Sequence, residues 1–236
     1  MTSLTERLTD YSDPNSFGSK MRRRRSAALV RLIDQVAAAK GQVRILDLGG
    51  TASYWNILPA DYLQSGKVRI TLVNLPGENH ATSNDQFTYV EGTACDLPQF
   101  ADQSFDIVHS NSVIEHVGNW ENMRAFAREC QRLGEHYFVQ TPNFWFPIEP
   151  HFMAPFVHWL PLPLHAWLMT KMSLGQYRRY DSLSEAVSAI QGVRLLDRNM
   201  MASLFPKADI QRERFMLLTK SMTAVSPDMI DGRHAH

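Results

Sequence analysis

The chain has 236 residues, enough for one large domain or for one domain with an inserted cap. Its 24 Lys+Arg balance 24 Asp+Glu, so there is no global basic footprint for nucleic acid, and 44% apolar with 20% charged residues is ordinary for a globular protein. The two cysteines, Cys95 and Cys130, make no disulfide framework, and no apolar run reaches the ~20 residues that span a bilayer.

Residues 1–25 are polar and charged, with a Ser-Asp-Pro-Asn-Ser turn cluster at 12–16 and no apolar signal segment, so a cytoplasmic location is the expectation. The basic run Arg22-Arg23-Arg24-Arg25 leads into Ala27, Ala28, Leu29, Leu32, Ile33 and Val36, a helical spacing that Gly41 ends. The arginines read as a solvated helix face or as a clamp for an anionic substrate or a membrane surface. Residues 1–40 are thus an N-terminal helical segment.

Val43-Arg44-Ile45-Leu46-Asp47-Leu48-Gly49-Gly50 reads as a buried parallel strand that runs into a tight glycine turn. Glycine lets the backbone take φ > 0 and lets a ligand approach it closely. A helix over 53–64, N-capped near Ser53, would complete a site of the nucleotide-binding kind. The acid inside the turn suggests a ligand with hydroxyls or an amine. Further strands are expected at 68–73 (ending on Asn74), 87–91, 105–110 and 136–140. A long amphipathic helix from Val113 to Leu133 precedes the last of these, with Gly134 as its C-cap. Strands alternating with helices indicate βαβ units and a parallel sheet.

The pattern breaks over 144–180. Pro147, Pro150, Pro155, Pro161 and Pro163 forbid one long helix there, and aromatic residues are dense. This segment reads as a cap of short helices. It is either a subdomain packed on itself, a wall of a substrate pocket over the carboxyl ends of the strands, or, over 156–168, a membrane-interface element. Ser182-Leu183-Ser184-Glu185 opens a short helix to about Ile190 in capping-box fashion. Another short helix is expected at 197–204, followed by two antiparallel closing strands at 208–213 and 215–224. The tail, 226–236, reads as disordered.

Four features align. They are Asp47-Leu48-Gly49-Gly50, Asn74 at the end of strand two, Ala94-Cys95-Asp96-Leu97-Pro98 after strand three, and Phe105-Asp106-Ile107-Val108-His109-Ser110-Asn111-Ser112-Val113-Ile114-Glu115-His116-Val117 across strand four. This order and spacing resembles the class I S-adenosylmethionine-dependent methyltransferases, closest to the group that methylates small molecules. The resemblance implies a doubly wound, mostly parallel seven-stranded α/β sheet of the Rossmann-like methyltransferase type. The domain would span 41–225, with 144–180 as the cap inserted after strand five. It further implies that Asp47, Gly49 and Gly50 cradle the methionine and ribose part of the cofactor. Asn74 stands where an Asp or Glu usually grips the ribose hydroxyls. Asp96 would accept from the adenine amino group, Leu97 would pack on the ring, and Ser110 and Asn111 would lie beside the methyl donor. The chain departs from the family's three spaced glycines at Thr51 and Ser53.

Methyl transfer needs an in-line nucleophile and little covalent help, so positioning and desolvation dominate. If the acceptor must lose a proton, His116 and His151 are candidate bases, with Glu149 to orient one of them. Each histidine also has a plain structural reading. Glu115-His116 is similar to part of the Glu-x-x-Glu-His metal site of small-RNA 2′-O-methyltransferases and of a ubiquinone-pathway O-methyltransferase, but Ser112 replaces the first glutamate, and no metal is expected. The leading expectation is methylation of a small molecule, at a hydroxyl on an aromatic or lipid-like acceptor. Peripheral membrane contact and a homo-oligomer stay open. One alternative is a non-catalytic methyltransferase-fold partner with a degraded cofactor loop. An NAD-dependent oxidoreductase is disfavoured because the acid precedes the glycines instead of following them.

Overall fold

The computed structural model describes residues 17–78, 83–148, 154–175 and 177–227; for 17–26 and residue 60 it describes the backbone alone. The elements in chain order are α1 (Phe17–Lys40), β1 (Val43–Leu48), α2 (Ala60–Gln64), β2 (Val68–Asn74), β3 (Phe87–Glu91), β4 (Phe105–Asn111), α3 (Trp120–Leu133) and β5 (Gly134–Pro142). They are followed by α4 (Leu162–Lys171), α5 (Leu183–Gln191), α6 (Arg198–Leu204), β6 (Asp209–Phe215) and β7 (Leu218–Val225). Short 3-10 turns lie at Ala52–Ile57, Ile114–His116 and Val157–Trp159.

The strands form a seven-stranded sheet in the order β3-β2-β1-β4-β5-β7-β6. All pairings are parallel from β3 to β5, and β7 runs antiparallel to both of its neighbours. The chain moves outward from β1 to β2 and β3, then returns to place β4 on the other side of β1. Such a reversal opens a crevice at the carboxyl ends of the two central strands. β1 is apolar on both faces because both are covered. Leu46 and Leu48 meet α3 and α6 on one face, while Val43 and Ile45 meet α1 and Trp55 on the other.

α1 shows how the sequence selects its packing. Leu29, Leu32, Ile33 and Val36 recur at helical spacing and are all buried, and Gly41, at φ +80, ends the helix. The side chains of Arg22–Arg25 lie outside the described residues. Lys40 at the end of α1 ties it to the sheet. Its Nζ lies 2.8 Å from Asp106 Oδ1 on β4 and 2.6 Å from Glu135 Oε1 on β5.

Three expected elements differ. The helix over 53–64 is split into the 3-10 turn and α2, because Pro59 cannot continue a helix and serves as the N-cap of α2 instead. Thr51, not Ser53, precedes the first of these turns. The long helix begins at Trp120 rather than Val113. Gly118 takes φ +99, and the Asn119 side chain accepts from the Asn122 N–H, which starts the helix afresh. Gly134 does follow α3, but it is extended and opens β5. Its need is space: a Cβ there would lie 2.5 Å from the His136 carbonyl oxygen and 2.8 Å from Val108 Cγ2. Elsewhere the expected elements stand. Ser182 caps α5 by accepting from the Glu185 N–H, Asp197 caps α6, and β6 and β7 form an antiparallel hairpin. The cap segment contributes α4, whose Ala166 and Met169 pack on Ala186 of α5 in a cluster separate from the two large cores.

Burial opposes ionisation of Asp106, but Lys40 Nζ together with the backbone N–H and guanidinium of Arg44 outweigh it and hold the carboxyl below its ordinary value. A depressed carboxylate adds stability that is complete above its unfolded value, about pH 4, and is lost as pH falls through its folded value. Lys40→Met is therefore expected to cost about 1–2 kcal/mol near neutral pH, discounted for the exposure of the lysine. The gap from the unmodified chain should narrow below about pH 4, read by denaturant unfolding across pH.

Candidate functional site

The carboxyl end of β1 is built on a buried acid. Asp47 is fully enclosed, and a buried carboxylate is stable only when its oxygens are bonded. Oδ2 accepts from Trp55 Nε1 at 2.9 Å, and Oδ1 lies 2.7 Å from His109 Nδ1 on β4. Donation from Nδ1–H leaves Nε2 to accept the Tyr54 hydroxyl at 3.2 Å. The His109 ring is packed by Tyr54 and Trp55, with centroids at 4.8 and 5.0 Å. The Asp47 carboxylate thus points into the protein, not into the crevice. Its side chain is therefore engaged within the protein, and the backbone of the glycine turn follows it.

That backbone is tightly specified. Gly49 takes φ +73, and a Cβ on it would lie 2.6 Å from Val113 Cγ2. A Cβ on Gly50 would fall 1.7 Å from Asp47 Oδ2, so only glycine can cross the carboxylate there. From β2, Asn74 donates through Nδ2 to the Gly50 carbonyl at 3.0 Å, and the Gly49 N–H donates to the Val73 carbonyl. Asn74 therefore sits beside the loop, as expected, with at least part of its side chain engaged in holding it.

The loop after β3 carries Asp96 and Leu97. Asp96 is exposed, and Leu97 is buried beneath it. The Leu97 N–H donates to Glu129 Oε2 at 3.0 Å, while Arg132 donates to the carbonyls of Leu97 and Phe100 and pairs with Glu129 and Asp102. The Arg132 guanidinium holds the Glu129 carboxyl below its usual value, burial working against it. These α3 side chains clamp the 96–102 loop against the sheet. The sequence offered no signal for the clamp, because its two halves are about thirty positions apart, beyond any local pattern.

At the end of β4, Ser110 is fully buried and donates to the Leu48 carbonyl, so it joins β4 to β1 beneath the crevice. Asn111 Oδ1 is buried with no hydrogen-bond partner among the described residues. An orphaned acceptor at the end of a central strand fits a ligand that brings a donor, such as an ammonium or a hydroxyl. Ser112 takes φ +57 and is held at both its N–H and its hydroxyl by Gln140 of β5.

Of the candidate proton-handling residues, only His116 lies among the described residues. His116 is exposed on its 3-10 turn, with Nδ1 3.3 Å from the Gly192 carbonyl beyond α5. Glu149 and His151 lie outside the described residues. The neighbour of His116, Glu115, is fully buried and accepts from the Thr141 hydroxyl at 3.0 Å. Among the described residues no group of three or more His, Cys, Asp or Glu side chains is placed to hold a metal ion, and no helix is long and apolar enough to cross a membrane.

Comparison with known proteins agrees with this architecture. Residues 46–136 match the model of the methyltransferase domain, from β1 through the start of β5. Curated proteins give no match. Among solved structures, an O-methyltransferase family protein from Burkholderia thailandensis is 13% identical, with 88% of this chain and 57% of that one covered and a TM-score of 0.50, a likeness of fold. Magnesium protoporphyrin IX methyltransferase from Synechocystis is 11% identical over 92% of this chain and 90% of that one, at a TM-score of 0.48. A 1,6-didemethyltoxoflavin-N1-methyltransferase from Burkholderia thailandensis is 13% identical over 84% and 77%, at 0.45. Of three further matched structures the chain spans 44%, 64% and 35% of the length. Residues 46–136 are thus similar to the methyltransferase domain, in agreement with the resemblance to the class I S-adenosylmethionine-dependent methyltransferases that the sequence motifs carry.

Proposed function

We propose that this chain binds S-adenosylmethionine in the crevice between β1 and β4 and transfers its methyl group to a small-molecule acceptor, at a hydroxyl on an aromatic or lipid-like compound. The observation that carries the reading is the methyltransferase-domain match over 46–136, whose strand ends form the crevice where the sheet order reverses. The backbone at Gly49–Gly50 takes the methionine and ribose portion, with Asn74 beside it. Asp96 accepts from the adenine amino group, and the buried Leu97 supports the ring. The Asn111 carboxamide oxygen accepts a donor at the methionine end, and Ser110 fixes the strand that carries it. When bound, the cofactor supplies a methyl group on a positively charged sulfur, which an in-line nucleophile can take with no covalent help from the protein. The exposed aromatic residues of the cap favour an apolar acceptor, and the products of this chemistry are a methyl ether, S-adenosylhomocysteine and a proton.

Titration calorimetry with S-adenosylmethionine and S-adenosylhomocysteine tests the core of this reading; a chain that binds neither at millimolar concentration sinks it. Asp96→Ala removes one adenine contact and should weaken binding about tenfold, the worth of a hydrogen bond to a charged acceptor. Unchanged affinity would refute that assignment.

Asn74 gives a test of opposite sign to the family's usual pattern. A carboxylate at this position would face the Gly50 carbonyl that Asn74 now donates to. Asn74→Asp should therefore lower S-adenosylhomocysteine affinity, by roughly fivefold, rather than raise it. A tighter complex would show that ribose recognition outweighs the loop contact.

The proton from the acceptor goes to His151 or His116, with Glu149 orienting one of them. Extracts incubated with labelled cofactor and read by mass spectrometry would name the acceptor as a product heavier by one methylene. With that acceptor, the variant lacking the true base should lose the limb of the kcat–pH profile near the ordinary histidine value, about 6.5. Profiles of His116→Ala and His151→Ala that both match the unmodified chain would remove histidine from the mechanism.

A further inference from the structure

The hairpin at one end of the sheet is apolar and exposed. The β6–β7 hairpin turns on Met216 and Leu217, which are 84% and 93% exposed and belong to neither main core. The root of the cap is joined to this hairpin. Asn143 donates from its backbone to the Lys220 carbonyl and from its side chain to the Thr219 carbonyl, and the rings of Phe146 and Phe215 meet edge to face at 6.3 Å. From there the cap extends the surface through Trp145, 61% exposed, whose ring centroid is 6.3 Å from that of Trp159, and on to Phe156, 5.3 Å beyond.

The charge around this surface is predominantly positive. Arg214 and Lys220 flank the hairpin tip in sequence, and 214–220 contains no carboxylate. From 144 to 181 the sequence carries Lys171, Arg178 and Arg179 against Glu149 and Asp181, and Asp181 pairs with Arg179. A cavity of about 160 Å³ beside Trp145 is lined by Arg198 and Arg212, together with Asp197, whose carboxylate is engaged in capping α6. The nearest acid on β6, Glu213, accepts from the Ser221 hydroxyl. Among the described residues no ion pair is formed by Arg198 or Arg212.

We propose that this face docks the protein onto an anionic lipid bilayer, with Met216 and Leu217 entering the acyl boundary and the indoles of Trp145 and Trp159 at headgroup level. A protruding two-residue tip fits a fluid apolar phase, whereas a protein partner would need a pocket to receive it. Indoles with an apolar body and a bonded N–H, as in Trp159 donating to the Phe144 carbonyl, suit the interface between water and acyl chains. Cationic flanks attract anionic headgroups, which such contacts need in addition to a small buried apolar area. The surface lies at the end of β5 and at the start of β7, the same end of the sheet as the crevice, so an acceptor dissolved in the bilayer would meet the site without crossing water.

Sedimentation of the full chain with phosphatidylcholine vesicles, and with vesicles containing phosphatidylglycerol, tests this without cofactor, so it fails or succeeds separately from the methyl-transfer reading. The chain should partition onto the anionic vesicles and much less onto the neutral ones. Met216→Asp with Leu217→Asp should reduce that partition roughly tenfold or more, while leaving the melting temperature near that of the unmodified chain. Arg214→Gln with Lys220→Gln should reduce it on anionic vesicles alone. The proposal is overturned if the chain stays in solution with both vesicles, if the aspartate pair partitions as the unmodified chain does, or if gel filtration shows a dimer that the pair dissolves with vesicle partition unchanged.

Discussion

The buried Asp47 carboxylate is the constraint on which the site depends. A carboxylate removed from water costs several kcal/mol unless its oxygens are bonded, and here the bonds come from Trp55 and His109. The first lies in the turn after the glycine loop and the second on β4. Satisfying one acid thus fixes the path of the chain after β1 and locks it to the neighbouring strand across the point where the sheet order reverses. The loop is shaped from below. Gly50 passes over the carboxylate so closely that any side chain would collide with it. The glycine is required by the acid, and the acid is retained by the indole and the imidazole.

The other wall of the crevice is held by an independent device. Glu129 and Arg132, one turn apart on α3, grip the backbone at Leu97 and Phe100, so the exposed Asp96 is presented from a rigid base although it lies in a loop. The α3 clamp satisfies loop backbone groups that no strand or helix serves, whereas the Asp47 network joins side chains to one another. They differ in exposure. The α3 clamp is part-buried and tolerates water, whereas the Asp47 network is enclosed and does not.

Most of the fold was legible because its determinants are local. Runs such as Val43–Leu48 and Val68–Val73 are largely apolar because, Arg44 and Arg69 apart, both of their faces are covered. Ser182 was equally plain from its capping pattern, and the two closing strands expected at 208–213 and 215–224 are the antiparallel pair β6 and β7. The failures are also local in origin. Val113 and Ile114 continue the apolar spacing of α3, yet Gly118 and the Asn119 cap restart the helix, and periodicity alone does not register a break that keeps the same buried face. Within the site, the residues of the crevice were legible and the direction of their side chains was not. Asp47 finds its partners 8 and 62 positions away, and nothing in the motif says that it turns inward. His109 was read only as part of a strand, although it is the second half of the buried pair.

Two departures from the usual pattern of the methyltransferases that the chain resembles, Asn74 in place of an acid and the missing third glycine, meet at the same loop. Spaced glycines let a loop wrap a ligand closely but leave it conformationally free, and that freedom is an entropic cost on binding. Here Thr51 follows the glycine pair, and the loop is narrowed instead by a hydrogen bond from Asn74 to the Gly50 carbonyl. An aspartate at 74 has no proton to donate at neutral pH and would set a charge against that carbonyl, so the exchange of acid for amide supplies a donor to the loop. The amide gives up a charged acceptor for ligand hydroxyls and gains a preorganised backbone at Gly49–Gly50. Each change would weaken a site by itself, and together they exchange one way of holding the loop for another. The altered motif is therefore consistent with a working site, and an isolated loss of the glycine or of the acid would be the stronger sign of decay.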